Sequence, residues 1–87
     1  MIEVTKKDEN TFEVKVSEGG STSTHKVTLD DSYYRKLTDG KMDKETLIEK
    51  SFEFLLEREP KESILSSFEL PVISRYFPEY EREIGKR

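Results

Sequence analysis

The chain has 87 residues and no cysteine, and its formal net charge is −4 at pH 7. Hydrophobic residues make up 32% of the sequence and charged residues 39%, which predicts one domain, residues 1–87, with a small core. The lack of cysteine excludes a disulfide framework and thiolate chemistry. Neither a long apolar run nor a signal-peptide pattern is present, so we expect a cytoplasmic protein with no membrane segment.

The first third of the chain alternates apolar and polar residues, a pattern that is typical of β-strands with one buried face. The alternating stretches cover residues 2–6, 11–17 and 21–29, and short turns separate them. The side chains predicted to face the core are Ile2, Val4, Phe12, Val14, Val16, His25, Val27 and Leu29. The pattern therefore predicts an antiparallel β-meander over residues 1–29, and a helical part over residues 30–87.

Two features of this meander could carry chemistry, and the sequence favours a structural role for both. Gly19 and Gly20 could cradle a phosphate, but a phosphate loop opens a helix and strand-like sequence follows here, so we predict a hairpin turn. His25 is the only histidine, and no second histidine or cysteine could share a metal with it. We expect His25 at the rim of the sheet's core face, and we predict no catalytic residue, cofactor or metal.

A short helix is predicted over residues 31–37. Asp30 can cap its start, and Gly40 follows its end as a C′ residue. Tyr33 and Tyr34 lie on its apolar side. A pair of tyrosines can mark a binding surface, but we favour packing, with the hydroxyl groups at the edge of the core.

The strongest helical pattern covers residues 43–59. Asp43 is a good N-cap, and Pro60 ends the helix because it lacks an N–H. At about 100° per residue, the apolar side spans an arc of roughly 200°, which is wider than the stripe of a helix lying on a surface. The residues in this arc are Leu47, Ile48, Ser51, Phe52, Phe54, Leu55 and Leu56. We expect the helix to be buried from two sides, with Ser51 letting a neighbour approach closely.

The opposite side of this central helix is acidic. Four glutamates repeat at intervals of four residues: Glu45, Glu49, Glu53 and Glu57. Like charges at this spacing cost about 0.2–0.5 kcal/mol for each pair. One interpretation is a contact face for a basic partner. The interpretation that we favour is a solvated face whose charges are offset by lysines from elsewhere in the chain.

The last third of the chain is broken into short pieces by prolines. Apolar residues at helical spacing predict short helices around residues 64–68, over 72–77 and over 80–84. We expect these pieces to wrap the outer side of the central helix, and residues 85–87 to form a frayed tail.

Part of this region resembles a known group of proteins. The segments SFEFLLEREP and SILSSFELPVISRYFPEYE look like a small prokaryotic protein family with no assigned function. The resemblance covers residues 25–84 and follows a whole run of sequence instead of a functional motif, so it implies no catalytic or binding residue.

The same region also has the outline of a helix-turn-helix over residues 62–77, with ESILSSF as the first helix and VISRYF as the recognition helix. Glu69 replaces the usual glycine of the turn, and Pro71 interrupts it. Arg75 is the only base in VISRYF, whereas DNA-binding proteins bring several bases to the phosphates. A nucleic-acid-binding regulator is therefore the alternative hypothesis and not the preferred one.

These patterns together predict an α+β fold: a three-stranded antiparallel sheet followed by a long central helix and short C-terminal helices packed on one face. The preferred functional hypothesis is a non-enzymatic module that binds a protein partner or a second copy of itself. Self-association would use an open strand edge at residues 2–6 or 21–29. The candidate contact residues are Glu49, Glu53, Glu57, Arg75 and Tyr76.

Overall fold

Three strands, two helices, a 3₁₀ turn, a short fourth strand and two further helices follow one another along the chain. The computed structural model describes residues 1–87. The elements are β1 (Ile2–Lys6), β2 (Thr11–Glu18), β3 (Ser21–Thr28), α1 (Asp31–Thr38), α2 (Lys44–Leu56), the 3₁₀ turn (Lys61–Ser63), β4 (Ser67–Glu69), α3 (Val72–Tyr76) and α4 (Tyr80–Ile84). This order confirms the predicted α+β class, and β4 is an addition to it.

The four strands form one sheet in the order β1-β2-β3-β4. The first three strands pair antiparallel with their neighbours in sequence, as predicted. The fully buried side chains of β2 and β3 are Phe12, Val14, Val16 and Val27. Between these two strands, Gly19 and Gly20 have φ values of 59° and 80°, a left-handed conformation that favours glycine, and the hairpin turn is confirmed.

Strand β4 corrects the prediction of a helix around residues 64–68. It pairs parallel to β3, with Phe68 opposite Val27. The backbone N–H of Leu70 donates to Thr28 O at 2.9 Å and extends the pairing. Phe68 and Leu70 are buried while their neighbours on both sides of Phe68 are exposed, so the segment follows the strand period of two. The open edge of β3 provides hydrogen-bond partners for the backbone groups of this segment, which in a helix would have bonded to one another. Strand β4 thus joins the sheet from within the part of the chain assigned to helices.

Helix α2 begins at the predicted cap and ends earlier than predicted. Asp43 caps the first turn, with 2.8 Å between its Oδ1 and the backbone N of Thr46. The sequence predicts an end at Glu59, whereas the helix ends at Leu56. The backbone N–H of Arg58 donates to Leu55 O at 2.9 Å, three residues back and not four, so the last turn tightens and the regular α-helix ends before Pro60.

The apolar arc of α2 is buried from two sides, as predicted. β1 packs against one part of the helix, and α1 and α4 pack against other parts. Every member of the arc is buried except Leu56, which is half-buried. Ser51 is fully buried; its Oγ donates to Leu47 O at 2.7 Å and lies 2.6 Å from the hydroxyl of Tyr80. The small side chain lets α4 approach closely, as predicted, and also holds it through a hydrogen bond.

The C-terminal third covers the core with α3 and α4, which confirms the short helices predicted there after residue 71. The prediction of a frayed tail is wrong at its last residue. Arg87 forms two hydrogen bonds with Glu57, at 3.0 Å from Nη1 to Oε2 and at 2.7 Å from Nη2 to Oε1. The planar fork of a guanidinium matches a carboxylate in this geometry, so the pair ties the end of the chain to the end of α2.

Candidate functional site

An apolar groove lies among the end of α2, the segment that leads into β4, and α3. Its volume is about 300 Å³. From α3 and the residue after it come Val72, Ile73, Tyr76 and Phe77. The rest of the apolar lining is Leu55, Ile64, Leu65 and Phe68, and Glu59 and Ser63 complete it. We call this opening the α3 groove.

Two large side chains of the α3 groove are well exposed to solvent. Tyr76 is 66% exposed and Leu65 is 46% exposed, and Met1 is the only other large hydrophobic residue that is exposed. A single exposed leucine or tyrosine is ordinary on a protein surface. Two of them on one apolar groove make this groove the candidate contact surface of the protein.

The prolines explain why α3 is too short to fill the space beside it. Pro71 stands at its start, and the helix ends at Tyr76. Pro78 disfavours helical geometry at the residue before it, and Phe77 has φ −132° and ψ 88°. The apolar side of α3 therefore extends for little more than one turn, and the groove stays open.

Glu59 is the only charged residue in the lining of the α3 groove. It is half-buried, and its carboxylate forms no ion pair or hydrogen bond. Burial raises the pKa of its carboxyl above the ordinary value of 4.5, because a poorly solvated site disfavours the charged form. The groove therefore presents an unpaired acid among apolar side chains, and a cationic group from a partner would relieve the cost of that burial.

His25 positions Leu65 at the groove. Its Nδ1 lies 2.7 Å from Leu65 O, and because a carbonyl only accepts, we assign the ring proton to Nδ1. In that tautomer Nε2 accepts from Ser23 Oγ at 2.8 Å. The ring also packs on Phe52, with centroids 5.4 Å apart. His25 is only 3% exposed, so it lies within the core face and not at the predicted rim.

The structure brings one of the five predicted contact residues into the groove. Tyr76 lines it, and Arg75 lies next to Tyr76 on α3, exposed and outside every ion pair. Glu49 and Glu53 are exposed on α2 but do not belong to the groove. Glu57 is engaged by other side chains of its own chain.

These side chains form an ion-pair cluster at the end of α2. The bidentate hydrogen bonds from Arg87 are the main reason that the pKa of Glu57 lies below its ordinary value. Arg58 also contributes, with its Nη1 3.3 Å from Glu57 Oε1. Arg58 Nε donates to Glu79 Oε2 at 3.0 Å, and its guanidinium carbon lies 3.6 Å from the ring centroid of Phe54. At this position the acidic row is offset by arginines and not by the predicted lysines.

Glu59 and Leu65 are not among the contact residues predicted from the sequence. A signal for Glu59 was available, because it follows Leu55 by four residues and falls on the apolar side of the predicted central helix. No local signal marks Leu65, whose exposure depends on the strand that follows it.

The helix-turn-helix interpretation is wrong at its first helix. The segment ESILSSF contains the end of a 3₁₀ turn and the start of β4 where the motif needs an α-helix. Helix α3 has five residues, of which Ile73 is buried and Val72 is half-buried. The hypothesis of nucleic-acid binding is left without the motif from which it was drawn.

The tyrosine pair of α1 packs against the core, as favoured. Tyr33 Oη donates to Glu81 Oε2 at 2.8 Å and so links α1 to α4, and Tyr34 Oη donates to the carbonyl of Met42. Burial and the hydrogen bond to Glu81 raise the pKa of Tyr33 above its ordinary value of 10.0. Both hydroxyl groups therefore have partners within the chain.

Comparison with known proteins gives no information about the α3 groove. No protein-family model, curated protein or solved structure matches the chain. The resemblance of residues 25–84 to a small prokaryotic family therefore stays a prediction. None of the helices has the length and apolar composition that crossing a bilayer requires. No group of three or more histidine, cysteine, aspartate or glutamate side chains is arranged to hold a metal ion.

Proposed function

We propose that this protein is a non-enzymatic interaction module of the cytoplasm, and that its α3 groove receives an apolar side chain of a protein partner. The observation that carries the proposal is the exposure of Leu65 and Tyr76 on one apolar groove.

The energetics of apolar burial support this proposal. Fully burying a leucine or an aromatic side chain is worth about 1.5–3 kcal/mol relative to leaving it exposed. Tyrosine is also common among residues that dominate binding energy, since it covers a large area with few torsions to immobilise. The two exposed side chains therefore give a docked partner a driving force that the surrounding polar surface lacks.

The polar groups of the groove support binding over catalysis. Its only polar side-chain groups are those of Glu59, Ser63 and Tyr76. Glu59 forms no hydrogen bond with either hydroxyl, so the contact by which a base activates a nucleophile is not made. A lone acid in apolar surroundings fits the recognition of a partner's cation more closely than it fits a reaction.

Site-specific photocrosslinking in cells of the source organism tests the proposal. The photoreactive amino acid p-benzoylphenylalanine replaces Tyr76 on the groove and, as the matched control, Lys15 on the solvated face of β2. We expect the probe at Tyr76 to give one discrete crosslinked protein and the probe at Lys15 to give none. Adding Leu65→Asp to the Tyr76 probe should remove the product, because the carboxylate would be desolvated by docking.

The same experiment can reject the proposal. Equal crosslinking from both positions, or no discrete product from the groove, contradicts it. Thermal melts followed by circular dichroism establish that each variant is folded, so loss of the product in Leu65→Asp reports on docking. The mass of the product shows whether the partner is a different protein or a second copy, and fractionation of the cells tests the cytoplasmic location.

A further inference from the structure

We propose that the partner of the α3 groove is a second copy of this chain. The two copies dock about a two-fold axis, so that Tyr76 of each enters the groove of the other and Arg75 of each pairs with the other copy's Glu59. This inference rests on the proposed function, in which the groove is a protein-docking site, and it names the occupant.

The shape of the surface is self-complementary. A two-fold interface uses the same patch on both copies, so that patch must contain both a protruding group and a recess to receive it. Tyr76 is 66% exposed and stands beside an opening of about 300 Å³. The exposed side chain and the recess therefore lie on one patch, as a two-fold interface requires.

The charges match in the same arrangement. Glu59 is the only charge in the groove, and no cation of its own chain reaches it. Arg75 is exposed next to Tyr76 and has no carboxylate partner. When Tyr76 docks, Arg75 is carried to the other copy's groove, and a guanidinium is suited to a partly buried ion pair because it is weakly hydrated and forms planar hydrogen bonds. The interface then contains two such pairs.

The open strand edges are the alternative route to self-association. Strand β4 covers β3 at Lys26–Thr28, whereas the outer edge of β1 has no neighbour. Glu3 and Lys6 are exposed on β1, and charged side chains are a usual protection of an edge strand against pairing. The groove has no such protection, because its single charge has a complement on the same patch.

Sedimentation equilibrium of the full chain measures the association. We expect a monomer–dimer equilibrium within the range from about 1 µM to about 500 µM, as for weak interfaces of modest size. Arg75→Glu and Glu59→Arg each place like charges together on both sides of the axis. Each variant should weaken the dimer by about 100-fold.

A mixture of the two variants provides the decisive measurement. Combining Arg75→Glu with Glu59→Arg restores opposite charges at both pairs, so the mixture should form a heterodimer although each variant alone is monomeric. Native mass spectrometry distinguishes the heterodimer from either homodimer. Glu53→Arg and Arg82→Glu are the matched controls, since they make the same charge changes at exposed positions outside the groove and should leave the dimer unchanged.

Three outcomes overturn the inference: a monomer at every concentration, a dimer that survives both groove variants, or a variant mixture that does not pair. The second outcome would assign the interface to another surface, such as the edge of β1. Circular dichroism melts establish that each variant is folded. A monomeric protein whose Tyr76 probe still captures a different protein rejects self-docking alone, whereas loss of the groove-specific crosslink rejects the proposed function as well.

Discussion

Tyr80 donates its hydroxyl hydrogen to Ser51 Oγ across 2.6 Å in the interior, where α4 packs on α2. The hydrogen of Ser51 is used elsewhere, because its Oγ donates to the backbone carbonyl of Leu47 at 2.7 Å. Both side chains are fully buried. This pair of hydrogen bonds fixes the position of the C-terminal third on the central helix.

The two residues are expected to differ in what their removal costs. Ser51→Ala leaves the buried hydroxyl of Tyr80 without a partner and should lower the free energy of unfolding by about 1–3 kcal/mol. Tyr80→Phe leaves Ser51 bonded to Leu47 and should cost less, about 0.5–1.5 kcal/mol. Urea denaturation measures both values. The double variant should lose less than the sum of the single losses, and strict additivity would contradict the hydrogen bond.

The buried Tyr80 and the half-buried Tyr33 should make the fold sensitive to alkaline pH. Burial is the main reason that the pKa values of Tyr33 and Tyr80 lie above the ordinary value of 10.0. The unfolded chain releases these protons at lower pH than the native protein does, so their contribution to stability is complete below about pH 10 and is lost as pH rises above it. Urea midpoints measured across this range should fall less steeply in Tyr33→Phe and Tyr80→Phe. Tyr76→Phe, at an exposed position, is the control and should keep the original slope.

Phe52 is expected to be among the most sensitive positions of the core. It is fully buried, and its ring centroid lies 5.4 Å from that of His25 and 6.0 Å from that of Phe68. Phe52→Ala should lower the free energy of unfolding by about 3–5 kcal/mol, since it removes the ring and leaves a cavity. The exposed neighbour, Glu53→Ala, should show no comparable loss. A loss below about 1 kcal/mol for Phe52→Ala would mean that the region relaxes to fill the space.

A chain that ends at Pro60 should not fold cooperatively. It lacks β4, α3 and α4, which cover the second side of α2 and contribute buried residues to the core. The buried hydrophobic residues that it loses are Ile64, Phe68, Leu70, Ile73, Tyr80 and Ile84. Size-exclusion chromatography should show aggregation, or denaturant melts should lose their cooperative transition. Deleting Arg87 alone is the mild control, and a monomeric short chain with a native melt would make the C-terminal third a detachable arm.

Duplex DNA is not expected to bind through α3. Arg75 is the only base in this helix, Glu69 and Glu79 flank the segment, and the net charge of −4 repels phosphates. An electrophoretic assay with random duplex at low salt and tens of micromolar protein should show no shift. Binding that weakens steeply with salt and disappears in Arg75→Ala would restore the nucleic-acid hypothesis.

Elements with one clear period were predictable from the sequence. Strand β2 alternates apolar and polar residues clearly from Thr11 to Ser17, β1 and the second half of β3 do so over shorter stretches, and α2 repeats its apolar residues over three turns. Asp30 and Asp43 were also recognisable as caps, because a short carboxylate directly before such a run can accept from the free N–H groups of the first turn.

The short strand and the groove were not predictable, because both depend on residues far apart in the chain. Ile64, Leu65 and Phe68 match a helical spacing, while Phe68 and Leu70 match the spacing of a strand. The open edge of β3 decides between them. Glu59 is likewise marked by the local sequence only as the end of a helix. Its place in the groove depends on α3 packing nearby, because a concave site arises from the packing of separate segments.

The pairing of β4 with β3 also bears on how the chain folds during synthesis. His25 contacts Leu65, which is 40 positions later, so the sheet is completed only after α1 and α2 have been made. Closing a segment of this length costs entropy before any contact forms, and such non-local pairing slows folding. At a synthesis rate of about 5–20 residues per second, the nascent β-meander waits several seconds with its apolar face uncovered. The speed of translation through the helical segment therefore sets how long that face is open to chaperones and to aggregation.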